Sequence, residues 1–168
     1  MKALTLVAHP DDCVIFAYSY MHNHPEMQWT VCYLTYRAED QRAKEFIEFW
    51  QRRNIPVKCL GFVDDHRDLE NNQISFDTQK AMQSIHDTIK DFDLILTHDE
   101  HGDYGHLHHV FVNRATVAHA NRVTFARPGT GTVKYSIQPG TYSLDELPLH
   151  RDVIAGFHSH NHVNEYKT

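Results

Sequence analysis

At 168 residues, 41% of them hydrophobic, the chain is long enough to bury one ordinary core and too short for two, so a single domain over 1–168 is expected. The net charge of −6, with Lys and Arg scattered rather than clustered, argues against nucleic acid as a partner. No apolar run approaches the roughly 20 residues of a membrane helix and no leader-type apolar stretch follows Met1-Lys2-Ala3, so a soluble, cytoplasmic protein without a membrane segment is expected.

The first element is the apolar strand Ala3–Val7, which ends at Ala8-His9-Pro10-Asp11-Asp12. Ionisable groups at the carboxyl end of a buried strand lie where open α/β sheets bind ligands. His9 and Asp12 offer one nitrogen and one oxygen, a partial set for zinc, and Asp11 between them points elsewhere and is free to act as a base. The same stretch also reads as a polar cap, with Asp11 or Asp12 as N-cap of a helix over Cys13–Met21.

Strand Trp29–Thr35 follows, rich in β-branched and aromatic residues, then a helix from Glu39 to about Arg53 whose Ala43, Phe46, Ile47 and Trp50 form a core-facing stripe. Ile55-Pro56 ends that helix and launches strand Val57–Phe62. The charge run from Val63 to Asp68 reads as a solvated loop. A helix opens at Asp77, its N-cap, with Met82, Ile85 and Ile89 inward. Strand Asp93–Thr97 leads into a His-rich segment, after which a helix is expected over Val110–Ala120. Beyond Asn121 the pattern loosens: Arg127–Gly131 is a turn-rich loop, Val133–Ile137 a further strand, and Pro148–His158 a terminal helix. Four strand–helix units in series predict an α/β fold, a Rossmann-like, doubly wound, mostly parallel sheet with helices on both faces. Cys32 and Cys59 fall in strand-like runs, and the odd cysteine count without CxxC spacing reads as reduced thiols.

The His-rich segment Thr97-His98-Asp99-Glu100-His101-Gly102-Asp103-Tyr104-Gly105-His106-Leu107-His108-His109 can reach the same sheet edge as His9. If a helix starts near Leu107, His106 and His109 face one side, while His108 is rotated by roughly 100° and looks toward another surface, where its loss would be nearly silent. Of the fifteen histidines, His22, His24, His66, His86, His119 and His150 read as structural or solvated. The tail His158-Ser159-His160-Asn161-His162 reads as an end of the chain that could pick up metal adventitiously. His98, His101 and His108 are left as candidate outer partners of a site.

Ala8-His9-Pro10-Asp11-Asp12 after the first strand, with Gly102-Asp103-Tyr104-Gly105-His106-Leu107-His108-His109 later, resembles the LmbE-like (PIG-L) family of zinc-dependent N-deacetylases. Weaker similarities run through Leu34-Thr35, Arg42-Ala43-Lys44-Glu45, Leu60–Asp64 and His158-Ser159-His160. The resemblance implies a hydrolase of a linear amide, removing the N-acetyl group of an N-acetylglucosamine-type sugar or conjugate, with a small-molecule N-acetylated sugar as its partner. It assigns His9, Asp12 and His109 to a zinc ion, with another divalent such as Fe²⁺ as a substitute. Asp11 becomes the general base and His106 the group that steadies the oxyanion. Arg37, Arg42, Asp64 and Asp103 are candidate substrate contacts, and a homo-oligomer is compatible with all of this. Two departures stand out: Cys13 occupies the position of the family's usual Glu, and Thr35–Glu39 replaces its Thr-x-Gly-Glu turn. Two alternatives stay open at this point, a metal-binding pseudoenzyme serving as a partner module and a non-haem iron oxygenase built on two His and one carboxylate.

Overall fold

The computed structural model describes residues 1–126, 134–135, 142–159 and 164–167. Five parallel strands form its centre: β1 (Lys2–Val7), β2 (Gln28–Thr35), β3 (Val57–Phe62), β4 (Leu94–Thr97) and β5 (Arg122–Ala126). Two short antiparallel strands, β6 (Lys134–Tyr135) and β7 (Asn164–Lys167), extend the sheet to the order β3-β2-β1-β4-β5-β7-β6. The helices are α1 (Tyr18–Asn23), α2 (Gln41–Gln51), α3 (Arg67–Asn71), α4 (Thr78–Ile89), α5 (Leu107–Thr116) and α6 (Arg151–Ser159).

Strand alternation divides the core. Ala3, Val7, Val31, Tyr33 and Leu96 face one layer, where they pack with Cys13–Met21, Phe46, Phe49, Trp50 and Ile154. Leu4, Leu6, Cys32, Leu34 and Ile95 face the other, against Ala81, Ile85, Phe111, Val112 and Ala115. Helices therefore cover both faces, as a parallel sheet with apolar residues at successive positions requires. The direction of strand succession reverses between β1 and β4, which are hydrogen-bonded neighbours. At such a switch point the loops leaving adjacent strands diverge and open a crevice at their carboxyl ends. Both polar motifs leave from there.

Several boundaries differ from expectation. The segment after Asp12 begins as a π-helical turn, Cys13–Ala17, in which the amides of Val14 and Ile15 both donate to the Asp11 carbonyl. Asp12 stands at the N-cap position but makes no side-chain cap bond. The charge run expected to be a solvated loop leads into α3 and turns Asp68 inward, with 4% of its surface exposed. Strand β5 falls where the sequence pattern loosens, because Arg122-Val123-Thr124-Phe125-Ala126 is short and opens on a charge. The turn-rich loop and the His160 and His162 positions lie outside the described residues. No helix among the described residues is long and apolar enough to cross a membrane.

Candidate metal centre

Three donor atoms converge at the switch point. His9 Nδ1 lies 3.1 Å from Asp12 Oδ2 and 3.3 Å from His109 Nε2, and His109 Nε2 lies 3.2 Å from Asp12 Oδ2. A four-coordinate ion with bonds of about 2.0–2.1 Å needs ligand separations of about 3.3–3.4 Å, so this triangle has the size of one face of a tetrahedral zinc site. The backbone arranges it locally: the His9 amide donates to Asp12 Oδ2 at 2.8 Å, closing the loop between β1 and the π turn. His109 comes from the first turn of α5.

The electrostatics of the triangle suit a cation. Burial by itself would raise Asp12, but His109 and His9 beside it hold it well below the usual carboxylate range. Burial by itself would lower His109, yet Asp12 and Asp103 outweigh that and raise it to about 10. His9 is raised in the same manner by Asp12. With no positive charge between them, imidazole lone pairs aimed at a carboxylate oxygen would repel, so without an ion the protein holds protons there instead.

The outer face of His109 is set by Asp103, whose Oδ2 accepts from His109 Nδ1 at 2.8 Å and from His98 Nδ1 at 2.5 Å. His98 Nε2 in turn accepts the Ala8 amide at 2.9 Å, which ties the second motif to the end of β1. Asp103 therefore stands behind His109 rather than facing a substrate. It and Gly102 adopt positive φ, 63° and 72°, and a Cβ on Gly102 would lie 2.6 Å from the His106 carbonyl oxygen. The tight turn thus requires glycine at 102.

His106 is the N-cap of α5, and its Nδ1 accepts the His108 amide at 3.2 Å. Its ring stacks on His109 at 4.7 Å and meets the edge of His9 at 4.6 Å. Burial, then the nearby His9, His109 and His108, push its pKa down to about 3, so it is neutral in the working range. With Nδ1 accepting, Nε2 carries the hydrogen.

Asp11 is gripped by Arg42, whose Nη2 lies 2.8 and 2.9 Å from its two oxygens. The Nη1 of Arg42 also reaches Tyr36 Oη at 2.8 Å and Asp64 Oδ2 at 3.3 Å. His9, Asp11, Asp12, Ile15, Arg42, Asp64, Tyr104 and His106 line a cavity of about 100 Å³. A larger cavity of about 750 Å³, lined by Lys2, Trp29, Pro56 and Phe92 among others, holds none of these residues. Arg37 stands apart, in a separate cleft with Leu60 and Gly61. His101 is exposed, and its side chain pairs with Glu100.

One expectation is overturned. His108 does not look toward an indifferent surface: it is fully buried, with Nδ1 3.1 Å from His9 Nε2 and Nε2 2.8 Å from Asp68 Oδ2. The rotation between 108 and 109 is as expected, but the first turn of α5 straddles His9, so the two rings approach its two nitrogens from opposite sides. Cys13 packs inward: its thiol donates to the Pro10 carbonyl and accepts from Trp50 Nε1 at 3.0 Å, and burial pushes its pKa far up.

The family profile of the GlcNAc-PI de-N-acetylases (PIG-L) matches residues 4–120, and the chain belongs to that family of hydrolytic N-deacetylases. No curated protein sequence matches it. Among solved structures it is similar to the zinc-inhibited form of the teicoplanin deacetylase Orf2, at 11% identity and a TM-score of 0.53, over 95% of this chain and 84% of that one. It is also similar to the N,N'-diacetylchitobiose deacetylase of Pyrococcus horikoshii, at 15% identity and 0.51, over 94% and 70%. A third neighbour is GalB, the 4-carboxy-2-hydroxymuconate hydratase of Pseudomonas putida KT2440, at 13% identity and 0.54, over 95% and 83%. At these identities the likeness is one of fold, and the hydratase among them is a reminder that this fold carries more than one chemistry.

Proposed function

We propose that the chain removes the N-acetyl group of an N-acetylglucosamine-type sugar or conjugate, with a divalent ion, zinc in the first instance, held by His9, Asp12 and His109. The observation that carries this is the triangle of donor atoms 3.1–3.3 Å apart, set beside a cavity lined by Asp11 and His106. Family membership supports the hydrolase over the iron-oxygenase and pseudoenzyme alternatives. A cytoplasmic location fits three free thiols.

A divalent ion at this triangle would polarise an amide carbonyl and ease deprotonation of water. Asp11 faces the cavity and takes the proton from the attacking water on a carboxylate oxygen, while the water oxygen bonds to the amide carbon. Arg42, bonded to both Asp11 oxygens, fixes that carboxylate's orientation. His106 donates its Nε2 hydrogen to the carbonyl oxygen as negative charge develops there. When the carbon–nitrogen bond breaks, Asp11 returns its proton to the leaving nitrogen, giving acetate and a free amine. A cavity of about 100 Å³ has room for an acetamido group, and the exposed Tyr104 ring is part of its wall.

The test is amine release by the zinc-loaded protein from N-acetylglucosamine and its conjugates, with N-acetyl, N-propionyl and N-butyryl forms compared. Activity that is lost with chelator, regained with zinc and steeply reduced beyond acetyl is expected. No amine release from any acetylated sugar, with zinc bound, would overturn the assignment.

A further inference from the structure

The ring of His9 is used on both sides. Its Nδ1 belongs to the donor triangle, and its Nε2 lies 3.1 Å from His108 Nδ1. On the far side, His108 Nε2 lies 2.8 Å from Asp68 Oδ2, which also accepts from Ser75 N at 3.0 Å and Ser75 Oγ at 3.2 Å. An ionised carboxylate only accepts, so the hydrogen between Asp68 and His108 belongs to His108 Nε2. In a neutral imidazole the other nitrogen then bears a lone pair. Facing that lone pair, His9 Nε2 must carry a hydrogen, which leaves the lone pair of His9 on Nδ1, the nitrogen in the triangle. The competing acceptor, Asp64 Oδ1, is 3.6 Å from both nitrogens, beyond a good hydrogen bond, and its other oxygen is engaged by Tyr36 at 2.6 Å.

We infer that Asp68 and His108 form a positioning relay that holds His9 in the one tautomer able to bind a metal through Nδ1. The inference rests on the reading of His9, Asp12 and His109 as the metal ligands, and assigns function to two residues outside that set. It gives the centre a symmetry of construction. His109 is oriented directly by the buried carboxylate of Asp103, and His9 is oriented by the buried carboxylate of Asp68 through an intervening imidazole. Outer partners of this kind fix ring orientation and ligand basicity, and their loss typically weakens metal binding by about 10–100-fold.

The two His108 substitutions separate this role from simple packing. In His108→Asn the side-chain oxygen can occupy the place of Nδ1 and still accept from His9 Nε2. His108→Gln is closer in length and can still meet Asp68, but its amide sits where Nε2 was and leaves His9 without its acceptor. Zinc affinity of the full chain, measured by competition with a chromophoric chelator, is expected to fall about 10–100-fold in Asp68→Ala and His108→Gln and to be largely restored in His108→Asn. Long-range proton–nitrogen correlation spectra of the zinc-loaded parent should place a hydrogen on Nε2 of both His9 and His108. Affinities within about twofold of the parent in Asp68→Ala and His108→Gln, with the parent binding zinc, would overturn the relay alone. A parent that takes up no zinc would overturn the metal centre and the relay with it. Should Asp68→Ala not fold, the spectra and the Asn–Gln contrast decide the matter; a hydrogen on His9 Nδ1 in the zinc-loaded protein sinks the inference outright.

Discussion

The two oxygens of Asp11 are both held by one guanidinium nitrogen of Arg42, at 2.8 and 2.9 Å, across 31 residues of sequence. A carboxylate so fixed cannot swing into the donor triangle and stays at the cavity wall, which separates its task from that of the adjacent Asp12. Arg42→Met should therefore lower kcat by about tenfold or more, the order expected when a charge-assisted pair is broken, while zinc content stays near the parent's. Asp11→Asn should also keep the metal and lose roughly 10²–10⁴ in kcat. Steady-state kinetics paired with elemental analysis reads both, and loss of metal from either variant would reverse the division of labour between Asp11 and Asp12.

Asp12 Oδ2 is the common vertex of the triangle, 3.1 Å from His9 Nδ1 and 3.2 Å from His109 Nε2. Asp12→Ala and His109→Ala should each reduce zinc content from about one ion per chain to a small fraction, with activity lost in proportion. Full zinc occupancy in either variant after dialysis would contradict the ligand set.

His106 links catalysis to acid stability. Its loss in His106→Ala should lower kcat by roughly 10²–10³ with metal retained, if its Nε2 hydrogen steadies the oxyanion. Folding pushes its pKa from 6.5 down to about 3, so below 6.5 the unfolded chain binds a proton that the folded protein refuses. The stability it permits is complete above that value and is lost as pH falls from 6.5 toward 3. His98 and His108, lowered by burial, act in the same direction. The thermal midpoint of the chelator-treated parent should fall on acidification through this window, and that of His106→Ala should fall less steeply; parallel curves would show that His106 does not contribute.

Gly102 holds the turn that presents Asp103 and His106. At φ 72°, an added Cβ would meet the His106 carbonyl oxygen at 2.6 Å and Val110 Cγ2 at 2.8 Å. Gly102→Ala should destabilise the fold by on the order of 2 kcal/mol or more, from the left-handed backbone and the clash together. Zinc affinity should drop as well, since α5 cannot keep both His109 and its cap in place; denaturant unfolding and chelator competition measure the two effects.

The sequence by itself settled the order of elements over most of the chain and the place of both motifs at strand ends, because strand periodicity and His-Pro-Asp-Asp are local signals. It also named His9, Asp12 and His109 together through the family resemblance, and α5 does start at Leu107, which brings His109 to the other two. What only the tertiary structure decided are the partners that meet those atoms from elsewhere: Arg42 on Asp11, Asp64 beside His9, and Asp68 behind His108, which is 40 residues away along the chain. A run such as Asp64-Asp65-His66-Arg67-Asp68 looks the same whether it is solvated or folded in. Charge is written in the residue, but the direction it faces is set by how β3 and α3 pack against α5. His108 is a case of the same kind: helical geometry tells how far its ring is turned from His109, and not that the first turn of α5 straddles His9.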